Sequence, residues 1–218
     1  MKNIPARIKA FFADRQNLKR AGMTLFGVFV CALSVGFFNN SLFGADPFQC
    51  FAAGLDNVIP LDFGTLYVII SAIMLVVVFL LDRHFINLGT FINLFLTGYV
   101  VQFSNWAIAS LCPDPSLITR IIFLIIGVVV MCFASAIYFT ADLGVSVYDA
   151  IALYLDKKLP IPFRFIRIGT DLICVGIGFA LGAIVGIGTV ITALFMGPLI
   201  DFFNRTVARP FLYGKAAK

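Results

Sequence analysis

Apolar residues in this chain come in long unbroken runs, without the alternation of a half-buried strand or the single stripe of a surface helix. Six runs, at about 22–43, 63–81, 86–110, 118–140, 164–184 and 187–205, approach the ~20 residues a helix needs to cross the hydrocarbon core of a bilayer. Two shorter runs, at about 45–58 and 145–158, follow a glycine (Gly44, Gly144) and precede a proline (Pro60, Pro160). At ~1.5 Å rise per residue each reaches only about 20 Å, too short for a comfortable crossing. They read as interfacial or re-entrant helices. The pattern predicts an all-α fold: a polytopic membrane helix bundle of about six transmembrane helices plus two short ones.

Composition agrees. Hydrophobic residues make up 61% of the 218 and charged residues only 12%, against about 25% charged in a soluble domain. A chain this apolar cannot cover itself with polar surface, so its expected partner is the lipid bilayer. The net charge of +5 would suggest nucleic acid in a soluble protein. Here the basic residues sit in the tails and loops, which points to membrane orientation and to no nucleic-acid partner. With the N-terminus inside, six crossings leave only Arg120 outside, whereas eight would leave only Arg83 outside. Charge fixes the N-terminus in the cytoplasm without choosing between six and eight, and segment length favours six. Both termini are then cytoplasmic, in a multi-pass protein of the bacterial plasma membrane. Residues 4–18 carry Ile4, Ile8, Phe11 and Phe12 at helical spacing among basic residues. They read either as an amphipathic helix on an anionic leaflet or as a frayed tail.

The chain divides into a basic tail (1–21), a first membrane repeat (22–111), a second (112–208) and a basic C-terminal tail (209–218). Gly27, Val28 and Val30 correspond to Gly127, Val128 and Val130, and Gly44 to Gly144. Leu55, Asp56, Pro60 and Phe63 correspond to Leu155, Asp156, Pro160 and Phe163, all at an offset of 100. Gly89, Thr90, Ile92, Gly98, Phe103 and Asn105 then correspond at an offset of 99 to Gly188, Thr189, Ile191, Gly197, Phe202 and Asn204. Ordered matches of Gly, Pro, Asp and Asn are far rarer by chance than apolar similarity. Three crossings per repeat would place the halves in opposite orientation, an arrangement through which many transporters alternate access.

Polar groups inside lipid are costly and therefore informative. Asp46 and Gln49 match Ser146 and Asp149 by position, with Tyr148 beside the latter pair. Asp46 and Ser146 read as N-caps of the short helices; the functional alternative is that these helix ends line a binding cavity. Asp149 either faces that cavity or complements its helix dipole. Asp142 reads as a solvated interfacial carboxylate. Asp171 lies about seven residues into the fifth span with Arg167 four residues before it, on one helical face. It is either half of a local pair or a proton- or cation-linked carboxylate. Thr189 and Thr90, each after a glycine, suit close helix packing. Gly197-Pro198 should loosen the last helix. The substrate-binding candidates are therefore Asp46, Gln49, Ser146, Tyr148, Asp149, Asp171 and Thr189.

No nucleophile elbow, phosphate loop or metal-binding spacing is present. The expectation is no catalytic residue, no metal and no cofactor. Among the five cysteines, Cys31, Cys132 and Cys174 fall inside apolar runs, and nothing argues for a disulfide between Cys50 and Cys112.

The motifs Phe43-Gly44-Ala45-Asp46-Pro47-Phe48, Asn87-Leu88-Gly89-Thr90, Leu143-Gly144-Val145-Ser146-Val147-Tyr148-Asp149 and Gly186-Ile187-Gly188-Thr189 resemble those of the YczE/YyaS/YitT group of bacterial integral membrane proteins, closest to its YczE-like branch. The likeness covers roughly residues 22–206, with Val147 standing where the family pattern usually has proline. It implies a multi-spanning plasma-membrane protein and carries over no binding residue. The leading expectation is a small secondary transporter or exporter of an unknown solute, with a homodimer as a plausible assembly. The second is a non-transporting membrane partner that organises another complex.

Overall fold

The structure, a computed structural model, describes residues 14–61 and 63–214. All regular elements among them are helical. They are α1 (Arg15–Asn40), α2 (Pro47–Asp56), α3 (Phe63–Leu81), a 3-10 turn (Arg83–Phe85), α4 (Leu88–Leu111), α5 (Leu117–Ala141), α6 (Val147–Lys158), α7 (Phe163–Ala180) and α8 (Ile187–Phe203). A π-helical turn (Asn204–Ala208) then leads from α8 into α9 (Arg209–Tyr213). The predicted runs match these elements closely, and the two short runs are α2 and α6. Four helical segments are long and apolar enough to cross a membrane: Arg15–Asn40, Gly89–Leu111, Leu117–Ala141 and Ile187–Tyr213. The α3 helix is apolar but shorter, and α7 carries Arg164, Arg167 and Asp171.

Two boundaries differ from expectation. The first helix starts at Arg15, not near 22, and the last continues through 209–213, read above as tail. Basic residues dilute hydropathy at both ends, yet these turns pack together. Lys19 donates to the Phe211 carbonyl and lies 4.5 Å above its ring, and Arg20 reaches the Tyr213 hydroxyl at 3.4 Å. Long cationic side chains can cover apolar surface in this way while keeping their heads wet. Most of the amphipathic segment proposed for 4–18 lies outside the described residues. Pro198 sits inside α8, which continues through it.

The four long helices form the scaffold, and glycines decide how they meet. At Gly27 a Cβ would lie 2.8 Å from Tyr138 Cβ, and at Gly127 one would lie 2.8 Å from the Phe38 backbone nitrogen. These are two separate contacts, and each residue of one lies 100 positions from its counterpart in the other. Arg120, in the first turn of α5, donates at 2.9 Å to the carbonyls of Ser41 and Leu42 just beyond α1. Thus α1 and α5 run antiparallel. By contrast α1 and α4 run parallel: Thr24 meets Gly89, and Ser104 Oγ donates to the Leu33 carbonyl at 2.7 Å. The equivalent pair, α5 and α8, is parallel too. Leu124 meets Gly188, Cys132 meets Met196, and the Phe133 and Phe203 rings lie 5.6 Å apart.

Both junctions of this scaffold use one device. The Gly188 N–H donates to the Phe43 carbonyl at 2.8 Å, and the Gly89 N–H donates to the Leu143 carbonyl at 2.6 Å. Gly44 (φ 126°) and Gly144 (φ 93°) turn the chain in the left-handed region, where a side chain would be strained. The expected packing role of the Gly-Thr pairs is visible here: Thr90 Oγ1 donates to the carbonyls of Phe85 and Val145, while Thr189 lies against Gly44. One end of the bundle therefore holds 43 and 188, and the other holds 89 and 143. Among the described residues α1, α4, α5 and α8 each run from one end toward the other, and segments 44–88 and 144–187 link the two ends.

Close contact at Gly27 and Gly127 leads to a stability prediction. Gly27→Ala and Gly127→Ala should each lower the apparent Tm of the purified protein, since overpacking costs roughly 1–3 kcal/mol. Gly22→Ala, where a Cβ would meet nothing within 4 Å, should leave it unchanged. Equal thermal shifts in all three variants would contradict this packing.

Candidate functional site

The two short helices point their first turns into the bundle and their last turns toward opposite ends. The Phe48 and Tyr148 rings stack 5.2 Å apart, so equivalent residues of the two helices meet in the interior. At its other end α2 is tied by Asn57, whose amide donates to the Leu181 carbonyl at 3.2 Å, in the loop before α8. The last turn of α6 sits at the opposite end, with Lys157 4.3 Å above the Phe85 ring.

Both first turns are capped from the side chain. Asp46 accepts from the backbone N–H of Phe48 at 3.0 Å and of Gln49 at 3.2 Å, and Pro47 occupies the first position, where no donor is missed. Ser146 accepts from the Asp149 N–H at 3.2 Å. The capping reading of both residues is thus met.

Beyond the cap, α6 and α7 share a buried polar network. Arg167 Nη1 donates to Asp149 Oδ1, and Arg167 Nε donates to Asp171 Oδ2 at 3.2 Å. Tyr148 donates to Asp171 Oδ1. Tyr138 and Ser146 both donate to Asp149 Oδ2, the serine at 2.6 Å. The guanidinium stands 4.7 Å from the centre of the Tyr148 ring. Asp171 is fully buried, and Arg167 and Asp149 are 5% and 8% exposed. Removing three charged groups from water costs several kcal/mol per ion unless every lone pair finds a donor. Here all four carboxylate oxygens do, through charge-assisted bonds. Two carboxylates against one guanidinium leave one negative charge over. One proton or one univalent cation would balance it.

Four of the expected residues, Ser146, Tyr148, Asp149 and Asp171, meet in this network. Asp46 caps α2 outside its hydrogen bonds, and Gln49 follows as the residue whose N–H it accepts from. Thr189 is fully buried at the junction of α1 and α8, where its Oγ1 accepts from the Gly186 N–H at 3.4 Å. Arg167 is more than a local partner of Asp171, because it bridges two helices. Tyr138 was not anticipated. Its signal lay in the comparison of halves: Phe38, Phe48, Gln49, Tyr67 and Ser71 of the first half stand where Tyr138, Tyr148, Asp149, Arg167 and Asp171 stand in the second. At each of these five paired positions the second-half residue is the more polar one or carries the charge. Asp142, read as solvated, pairs at 2.8 Å with His84 at the half-exposed bundle end. All five cysteines are free. Among the described residues no group of metal-ligating side chains occurs.

Arg167→Met should destabilise the protein more than any single substitution among its partners, since removing one side of a buried pair costs about 3–5 kcal/mol. Adding Asp149→Asn to that variant should recover part of the loss, as read by thermal unfolding in detergent. Additive losses in the double variant would show that the two side chains do not interact.

Comparison with known proteins gives the same class. The model of a family of unknown function, DUF6198, matches residues 18–205. An uncharacterized protein of Haemophilus influenzae is 28% identical over 88% of this chain and 86% of its own. The uncharacterized membrane protein YczE of Bacillus subtilis is 25% identical over 73% of each chain. The uncharacterized protein YyaS of the same organism is 26% identical over 85% of this chain and 92% of its own. No solved structure matches. With its long apolar helices and a relative described as a membrane protein, the chain is an integral membrane protein, and it belongs to the DUF6198 family.

Proposed function

We propose that the protein is a small secondary transporter or exporter of a small solute in the bacterial plasma membrane, crossing it six times with both termini in the cytoplasm. The observation that carries this reading is the meeting of two short helices, entering from opposite ends, beside a buried Asp149–Arg167–Asp171 network. Broken or short helices whose first turns converge near the midplane are how many transporters build a site in lipid. Intramembrane charges that survive burial are functional by default. The uncompensated charge gives the cluster a reason to load and unload one proton or cation, and such an exchange can couple a solute to an ion gradient.

Three further observations support the topology. Antiparallel packing of α1 and α5 agrees with an odd number of crossings per half and disagrees with eight in all. Contacts paired at offsets of 100 and 99 (Gly27 with Tyr138 and Gly127 with Phe38; Gly188 with Phe43 and Gly89 with Leu143) are those expected of an inverted duplication. Among the described residues the end holding 89 and 143 collects Arg15, Lys19, Arg83, Lys157 and Lys158, while Arg120 lies at the other end, which suits a cytoplasmic face for the first. On this reading the protein performs no covalent chemistry and needs no cofactor.

Proteoliposomes loaded with a panel of small metabolites under an imposed ion gradient test the proposal. At least one solute should move, and Asp149→Asn or Asp171→Asn should cut its rate tenfold or more while the protein still folds. No flux of any solute, with both substitutions silent in cells, would count decisively against transport.

A further inference from the structure

The buried network of α6 and α7 holds two carboxylates against one guanidinium, and the groups around it do not supply a second cation. From α2, Asp46 lies within electrostatic reach of both Asp171 and Arg167, and Cys50 packs against Gly178, two turns beyond Asp171. From α5 come Tyr138 and Cys132, from α1 Cys31, and from α3 Tyr67. Between Ile187 and Ile200, α8 carries no titratable side chain. Among the described residues facing the network, Arg167 is therefore the one cation.

The four carboxylate oxygens differ in what they accept. Each acid turns one oxygen to Arg167, whose N–H groups can only donate: Oδ1 of Asp149 and Oδ2 of Asp171. The other oxygen of each faces hydroxyls, which can donate or accept. Asp149 Oδ2 accepts from Tyr138 and Ser146, and Asp171 Oδ1 accepts from Tyr148. An added proton fits only on the hydroxyl side. Three observations favour Asp171 over Asp149. Asp149 lies in the first turn of α6, whose free N–H groups favour an anion, whereas Asp171 lies at the middle of α7. Two hydroxyls donate to Asp149 and one to Asp171. Asp171 is 0% exposed and Asp149 8%, and burial penalises the charged form. The Tyr148 hydroxyl also has the Cys174 sulfur within hydrogen-bond reach, so it can turn to that sulfur and accept from Asp171.

We infer that Asp171 is a proton carrier, and that the ion this network loads and unloads is a proton. On loading, a proton from water forms the Oδ1–H bond of Asp171, and the Tyr148 O–H swings from Asp171 to Cys174. Unloading reverses both moves and returns the proton to water. A metal ion needs room as well as oxygens. No water-sized sphere touches Asp171, and the Arg167 guanidinium beside it repels a cation, whereas a proton takes no space. The loaded network is neutral, with Asp149 and Arg167 as a balanced pair, and it suits closure in lipid. The unloaded network keeps a net charge and favours contact with water. Its use in driving a solute rests on the transport reading above; the bound proton rests on the network itself.

Infrared spectra of the protein in nanodiscs of ether lipids, which have no carbonyl of their own, read this proton as the C=O stretch of a protonated carboxyl. The wild-type protein at neutral pH should show one such band, moving down in heavy water. Asp171→Asn should remove it. Asp149→Asn should remove it as well, because Arg167 then balances Asp171 as an ion. Tyr148→Phe, which keeps the ring stacked on Phe48, should move the band to higher frequency by deleting its acceptor, and Tyr138→Phe should leave it in place. Absence of the band from the wild-type protein would overturn the proposal, and so would a band unmoved by Tyr148→Phe or one that survives Asp171→Asn. Flux is read separately in proteoliposomes. Solute movement driven by a sodium gradient at equal pH, and not by a pH gradient, would sink the proton and leave transport standing. The band without flux of any solute would sink transport and leave the proton.

Discussion

The antiparallel contact of α1 with α5 fixes the rest of the molecule. Gly27 and Gly127 let the two helix backbones approach against Tyr138 and Phe38. Because lipid supplies no hydrophobic drive between helices, such close packing is a main source of their association. Once α1 and α5 oppose each other, α4 and α8 follow as their parallel neighbours. The junctions at Phe43–Gly188 and Leu143–Gly89 then fall at opposite ends, and each short helix enters the interior from its own side.

That arrangement explains where charge can be kept. A guanidinium and two carboxylates in lipid must satisfy one another. The first turn of α6 and the middle of α7 bring Asp149 and Asp171 to either side of Arg167, with Tyr138 and Tyr148 completing their acceptors. The first half keeps the same backbone plan with Gln49, Tyr67 and Ser71 in those places. One frame thus serves both halves: the second is bound by glycine contacts and an ion network, and in the first Leu66 and Ile70 pack against Phe48 and Ala52.

Much of this was legible in the sequence, for a physical reason. Bilayer thickness dictates helix length, so apolar runs located α1 to α8 to within several residues. Ser146, Tyr148, Asp149 and Asp171 stood out because polar groups in such runs are costly. The helix ends were less legible: Lys19 and Arg20 lower local hydropathy, yet they cover Phe211 and Tyr213. Tyr138 escaped notice because a tyrosine near the end of an apolar run reads as an interface anchor. The choice between six and eight crossings was beyond charge counting, since either leaves a single arginine outside. Thr189 and Asp46 were drawn in by their repeated motifs, but serve a helix junction and a cap.

Everything turns on whether the membrane runs across the bundle so that the 43/188 end and the 89/143 end lie on opposite sides. The direct measurement is labelling of intact cells with a membrane-impermeant thiol reagent, using a single cysteine placed at His84 or at Asp114 in a chain whose own cysteines are replaced. Labelling at 114 and protection at 84 is the result expected of opposed halves. The reverse pattern, 84 labelled and 114 protected, would contradict the account, which places 84 on the cytoplasmic side and 114 outside.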